Sequence, residues 1–166
     1  MKYTRFEELP VWQAGMKLTE DVFRITENKC FAYKGDLRSQ LQRATLSICN
    51  NIAEGFERGT TQELLTFLYI ARGSAGEVRS MLILCERLPA FADLKSEISN
   101  LKFSAESISR QLRAWADSLQ NSDITGQRYL TEKSQRQQEQ KKRAEAFLAK
   151  LKQPTGRARP PGAPPS

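Results

Sequence analysis

Tyr69, Arg72, Gly76 and Arg79 fall at i, i+3, i+7 and i+10, a spacing that gathers side chains on one face of a helix. Two guanidiniums flank a bare glycine there, and a phenol ring lies one turn away. That set can hold phosphate and stack a nucleobase. A solvated face, or ion pairs with acids of a neighbouring subunit, is the plainer use of the same residues. Arg38 and Arg43 add basic positions on the preceding helix, whereas Arg110 and Arg113 share a face of the last helix and read as solvated. A denser cluster is Lys141-Lys142-Arg143, with Arg136, Lys150, Lys152, Arg157 and Arg159 around it. It suits either an electrostatic arm for RNA or DNA or a solubilising extension.

Catalytic chemistry has little to draw on. The chain has no histidine, so the commonest general base and metal ligand is missing. Cys30, Cys49 and Cys85 lie too far apart in sequence for the paired spacing of a zinc site. No glycine pattern follows a strand, so phosphate-loop and dinucleotide motifs are absent. Glu54 and Glu77 are the acids most closely embedded among small and apolar positions. A di-iron bundle needs Glu-x-x-His repeats, which are lacking. The reading is a non-enzyme without metal or cofactor. Asn51 and Glu54 are expected to bond local backbone and a neighbouring helix, and Glu77 to pair with Arg43 or a backbone amide. A ligand or metal inside the helices remains a distant third reading.

Four helices must position these groups. The first should start near Pro10, with Val11, Gly15, Leu18, Val22 and Ile25 as its apolar stripe and Trp12, Met16 and Phe23 widening the face. Glu27 to Gly35 breaks the pattern. Asp36 can cap a second helix carrying Leu37, Leu41, Ala44, Ile48 and Ile52, which ends between Gly55 and Gly59. Thr60-Thr61-Gln62-Glu63 reads as a capping box for a third, with Leu64, Leu68, Ala71, Ala75, Val78, Leu82 and Cys85 facing inward. Pro89 stops it. Asp93 can cap a fourth, using Ile98, Leu101, Ala105, Ile108, Leu112, Trp115 and Leu119. Heptad-like stripes joined by short turns specify an all-α chain, an antiparallel up-down-up-down four-helix bundle. Within it, Gly73, Ser74 and Ala75 next to Gly76 form a small-residue run suited to close helix or subunit packing, which would offset the cost of mid-helix glycine.

Charge divides the chain. Residues 122–166 hold 10 Lys/Arg against 4 Asp/Glu, a net +6, while the first 121 residues hold 16 against 15, a net +1. Residues 1–121 are therefore read as the bundle, 122–152 as a basic, partly helical arm, and 153–166 as a disordered Pro-rich tail. No apolar run approaches the roughly 20 residues of a membrane span. An odd number of cysteines at helical positions reads as reduced thiols in the cytoplasm.

Two stretches are more distinctive than generic helix. Ser47-Ile48-Cys49-Asn50-Asn51-Ile52-Ala53-Glu54-Gly55 matches "S-I-x-x-N-I-A-E-G", and Ile70-Ala71-Arg72-Gly73-Ser74-Ala75-Gly76-Glu77 matches "I-A-x-G-S-x-x-E". With Leu9-Pro10-Val11-Trp12-Gln13-Ala14, they resemble the bacterial four-helix bundle family named for proteins encoded in intervening sequences of 23S rRNA genes, over about Phe6 to Leu119. Related bundles include the accessory variability determinant of diversity-generating retroelements. The resemblance implies a homopentamer with an RNA or DNA partner, a reverse transcriptase as protein partner, and no catalysis. The nearly neutral body and the long basic tail depart from the common pattern. A protein–protein scaffold without direct nucleic-acid binding is the second reading, with Phe147-Leu148-Leu151 or the Pro-rich end recruiting a partner.

Overall fold

Proline at a first helical position has no amide to leave unpaired, and the first long helix, α1 (Pro10–Ile25), begins on Pro10. Three more follow: α2 (Gly35–Glu57), α3 (Thr61–Arg87) and α4 (Lys95–Gln120). The computed structural model describes residues 3–32, 34–121, 140, 143–145 and 148. The architecture is all-helical, with short 3-10 turns at Phe6–Glu8, Lys29–Phe31 and Pro89–Leu94, and no strand among the described residues.

α1 packs against α2 and α4, and α3 packs against the same two helices. The cross-helix contacts run in opposite senses. Thr19 meets Cys49 at 3.8 Å and Gln42 donates to the Thr26 hydroxyl at 2.7 Å, so α2 numbers fall as α1 numbers rise. Ser47 meets Ser74 at 2.8 Å, and one end of that seam has Arg58 stacked 5.2 Å from the Phe67 ring centre. Between α3 and α4 the pairs are Tyr69 with Gln120 at 2.9 Å and Glu86 with Lys102 at 2.7 Å.

The apolar stripes meet in one core. Val22, Leu41, Ile48, Ile52, Leu64, Val78, Leu82, Ile98 and Leu112 have no solvent exposure. Each such Leu or Ile contributes about 1.5–3 kcal/mol of burial free energy. Two glycines bring backbones together: a Cβ on Gly15 would lie 3.0 Å from Cys49 Sγ, and one on Gly55 would lie 2.7 Å from Phe67 Cβ.

Half of the capping box at α3 is present: Thr60 Oγ1 accepts from the Glu63 amide at 3.2 Å, while the Glu63 carboxylate accepts from the Thr60 hydroxyl at 2.7 Å and not from a backbone amide. Two other expected caps are absent. Lys34 takes the cap position of α2 and Asp36 sits inside the first turn, where a carboxylate still complements the helix dipole. Asp93 falls within the 3-10 turn Pro89–Leu94, and Leu94 precedes α4 without a side-chain cap. That turn is held by Phe91, whose ring packs edge-on against Phe31, centres 4.8 Å apart. Near the end of α4, Ala116 is buried while Trp115 and Leu119, expected inward, are only half-buried against the core.

The chain divides into two units, Met1–Arg128 and Tyr129–Ser166. In the second, Gln140, Arg143 to Glu145 and Leu148 are helical and exposed. Lys141 and Lys142 lie outside the described residues, as do nearly all of the arm and tail read at 122–152 and 153–166. No described helix is long and apolar enough to cross a membrane.

Candidate nucleic-acid interface

α3 presents different chemistry on its two flanks. Along the α4 flank run Tyr69, Arg72, Gly76, Arg79 and Glu86, at steps of three or four residues except for the longer step past Ile83. Both ends of this stripe are tied to α4. Gln120 Nε2 donates to the Tyr69 hydroxyl at 2.9 Å, and Lys102 Nζ is 2.7 Å from the Glu86 carboxylate. The arginines between those ties therefore follow the outer α3–α4 seam. Arg79 is exposed, Arg72 half-buried, and neither makes an ion pair with a described residue. Seven residues of helix separate them by about 10 Å. A Cβ on Gly76 would meet nothing within 4 Å, so the surface between the two cations is open. Tyr69 is 43% exposed.

The facing stripe of α4, from Lys102 to Gln120, carries Glu106 and Arg113. Arg113 is held 3.5 Å from Asp117, and Arg110 lies 3.5 Å from Glu106 and 5.9 Å from the centre of the Phe103 ring. These two cations are already partnered, whereas Arg72 and Arg79 are free of described carboxylates. The sequence reading missed Gln120, whose contact with Tyr69 depends on the register between α3 and α4, whereas Arg110 and Arg113, read as solvated, are 62% and 65% exposed.

Arg43 is elsewhere. The α2 stripe Arg43, Ser47, Asn51, Glu54 and Arg58 follows the opposite flank of α3, and Arg38 is exposed near the start of α2. Glu77 is exposed and pairs with neither Arg43 nor another described cation, which corrects the expected ion pair. Glu54 pairs instead with Arg58 one turn on.

The residues read as packing positions also separate. Asn51 Nδ2 donates to the Ser47 carbonyl at 2.7 Å and to Ser47 Oγ at 3.0 Å. Ser74 Oγ donates to the Ile70 carbonyl at 3.1 Å, so its contact with Ser47 Oγ at 2.8 Å takes the Ser47 proton. Asn51, Ser47, Ser74 and Ile70 thus form one directed chain of hydrogen bonds, and Ala75 is buried beside it. Gly73 does not belong to this packing: a Cβ there would meet nothing within 4 Å. Among the described glycines, the close approaches are at Gly15 and Gly55, outside the small-residue run.

The described thiols are free. Burial pushes the Cys85 thiol up to about 11 and also raises Cys49, so both are protonated at neutral pH. No group of three His, Cys, Asp or Glu able to hold a metal occurs among the described residues.

The family model of the "23S rRNA-intervening sequence protein" matches residues 7–114. No curated protein matches the chain. Among solved structures, the chain is similar to a protein of unknown function from the S23 ribosomal protein family of Bacteroides thetaiotaomicron. Identity is 17% and the TM-score 0.57, with 64% of this chain and 97% of that one covered. At that identity the likeness is one of fold.

Proposed function

The chain belongs to the 23S rRNA-intervening sequence protein family, and from that premise we propose that it is a non-catalytic, homo-oligomeric nucleic-acid-binding accessory protein. In this reading α1 to α4 form an antiparallel up-down-up-down four-helix bundle, as the opposed numbering of the cross-helix contacts supports. The observation that carries the function is the α3–α4 seam: two guanidiniums without a described acidic partner, an open glycine between them, and an exposed ring on the same stripe. Arg72 and Arg79 take phosphate, and Tyr69 offers a face to a base. The basic residues 122–166, Lys141, Lys142 and Arg143 among them, supply long-range attraction to the same polyanion.

The oligomer, a pentamer in the form that the resemblance implies, uses the outward face of α3. Ile70 and Leu84 are 46% and 47% exposed there, with Gly73 and Glu77 between them. That exposed apolar strip also favours the scaffold reading, in which α3 builds an assembly that recruits protein alone. A reverse transcriptase as protein partner is the finest form of the first reading. The cytoplasm is the compartment that suits both.

Titration with structured RNA and DNA at low salt tests the function directly. Binding that falls steeply as salt rises is expected, and no binding at low salt removes the reading. A gene for a reverse transcriptase beside this one would identify the retroelement role; a position inside a ribosomal RNA gene would identify the intervening-sequence role.

A further inference from the structure

The seam holds one row of cations without described acidic partners, and this constrains what it can take. Across it the α4 cations Lys102, Arg110 and Arg113 are already engaged by Glu86, Glu106 and Asp117. A duplex lays two rows of phosphates against a surface. With one row on Arg72 and Arg79, the other would meet only cations that carboxylates already hold, which offer it little. A single strand has one row to place.

Tyr69 points the same way. Its hydroxyl accepts from Gln120 Nε2 at 2.9 Å, which fixes the tip of the ring to α4 while 43% of the residue stays open. A ring held in one orientation loses little entropy when a base stacks on it. Paired bases keep both faces inside the helical stack, so only an unpaired base has a face to give. The hydroxyl proton, not used towards Gln120, remains free to donate to the ligand.

Building on the nucleic-acid reading above, we infer that the α3–α4 seam takes a short single-stranded run, with one base stacked on Tyr69, its phosphates on Arg72 and Arg79, and Gln120 as the residue that positions the ring. The cations give affinity to any nucleic acid; the ring gives the preference for unpaired bases.

The experiment compares a short labelled single strand with the same sequence as the stem of a hairpin closed by a non-nucleotide linker, using the full chain at low salt. The single strand is expected to bind at least about fivefold more tightly, as one stacked base allows. Tyr69→Leu should weaken single-strand binding roughly 5- to 100-fold with little effect on the hairpin, while Tyr69→Trp retains it. Tyr69→Phe removes both the Gln120 hydrogen bond and the hydroxyl's own donation, so adding Gln120→Leu to Tyr69→Phe should weaken binding no further. Equal affinity for the two probes, or unchanged single-strand affinity in Tyr69→Leu, overturns the inference. If Arg72→Gln and Arg79→Gln weaken both probes while Tyr69→Leu weakens neither, the nucleic-acid reading stands and the single-strand preference falls. If neither probe binds the parent chain, both fall.

Discussion

Ser47 of α2 and Ser74 of α3 join their hydroxyls at 2.8 Å, and each sits inside one of the two motifs on which the family resemblance rests. Ser47 begins the S-I-x-x-N-I-A-E-G run and Ser74 lies in the I-A-x-G-S-x-x-E run, so the motifs are two halves of one helix contact. Asn51 feeds this chain from one side and the Ile70 carbonyl receives it on the other. A polar network at a helix interface fixes register in a way that interchangeable aliphatics do not.

Ser47→Ala and Ser74→Ala are each expected to destabilise the protein by about 1–2 kcal/mol, because each leaves a partly buried group without its partner. The double variant should cost less than the two added together, since the orphaned group is then gone. Urea unfolding of the four proteins measures the coupling; strict additivity would mean that the serines act independently.

Glycines on the two helices should respond with opposite signs. Gly55→Ala forces a methyl to 2.7 Å from Phe67 Cβ, a backbone-anchored atom, and should destabilise by about 1–3 kcal/mol. Gly73→Ala and Gly76→Ala meet open space and should stabilise the folded chain by about 0.5–1 kcal/mol each. Thermal unfolding reads both. If Gly73→Ala instead dissociates an assembly seen by light scattering, the glycine is kept for contact between copies.

Loss of a seam arginine should weaken binding more than loss of one on α4. Arg72→Gln and Arg79→Gln each remove a cation without a described acidic partner, whereas Arg110→Gln and Arg113→Gln also release Glu106 or Asp117. Affinity measured against salt concentration should show a slope shallower by about one for each seam arginine that contacts phosphate. Equal effects at all four positions would mean that bulk charge, not the seam, sets affinity.

Thiol labelling should follow burial. Cys30 is half-buried and reacts first in the native protein, while Cys49 and Cys85 wait for unfolding. With the Cys85 thiol near 11, about one part in a thousand is thiolate at pH 8. The folded state favours the neutral thiol, raised from an ordinary 9.0. Its stabilising contribution is thus complete below pH 9 and drains away as pH rises from 9 towards 11. Alkaline unfolding at pH 10.5 in the parent and in Cys85→Ala measures it; identical pH dependence in the two proteins would exclude this thiol as the source.

Periodicity made the helices legible. The stripe positions of α1 and α3 are all buried, because four stripes at heptad spacing leave little choice about what faces what, but Phe23, expected to widen the α1 face, is 39% exposed. Caps were harder. Asp36 and Asp93 are good capping residues, yet the connections fold as 3-10 turns around the Phe31–Phe91 pair, and that long-range ring contact prevailed over local propensity. The basic stripe Tyr69 to Arg79 was visible on one helix, but Gln120, which ties its ring, belongs to another. Gly55 ended a helix in the sequence reading; its reason, the approach of Phe67, needed the partner helix.

The ring pair of Phe31 and Phe91 has a consequence for how the protein can vary. It couples the α1–α2 connection to the α3–α4 connection, so residues added to either would pull on a shared hydrophobic plug. The α2–α3 turn at Gly59 bears no such burden, for space around it is open. One pole of the molecule is keyed shut, and the other is the place where evolution, or an engineer, can splice in new sequence.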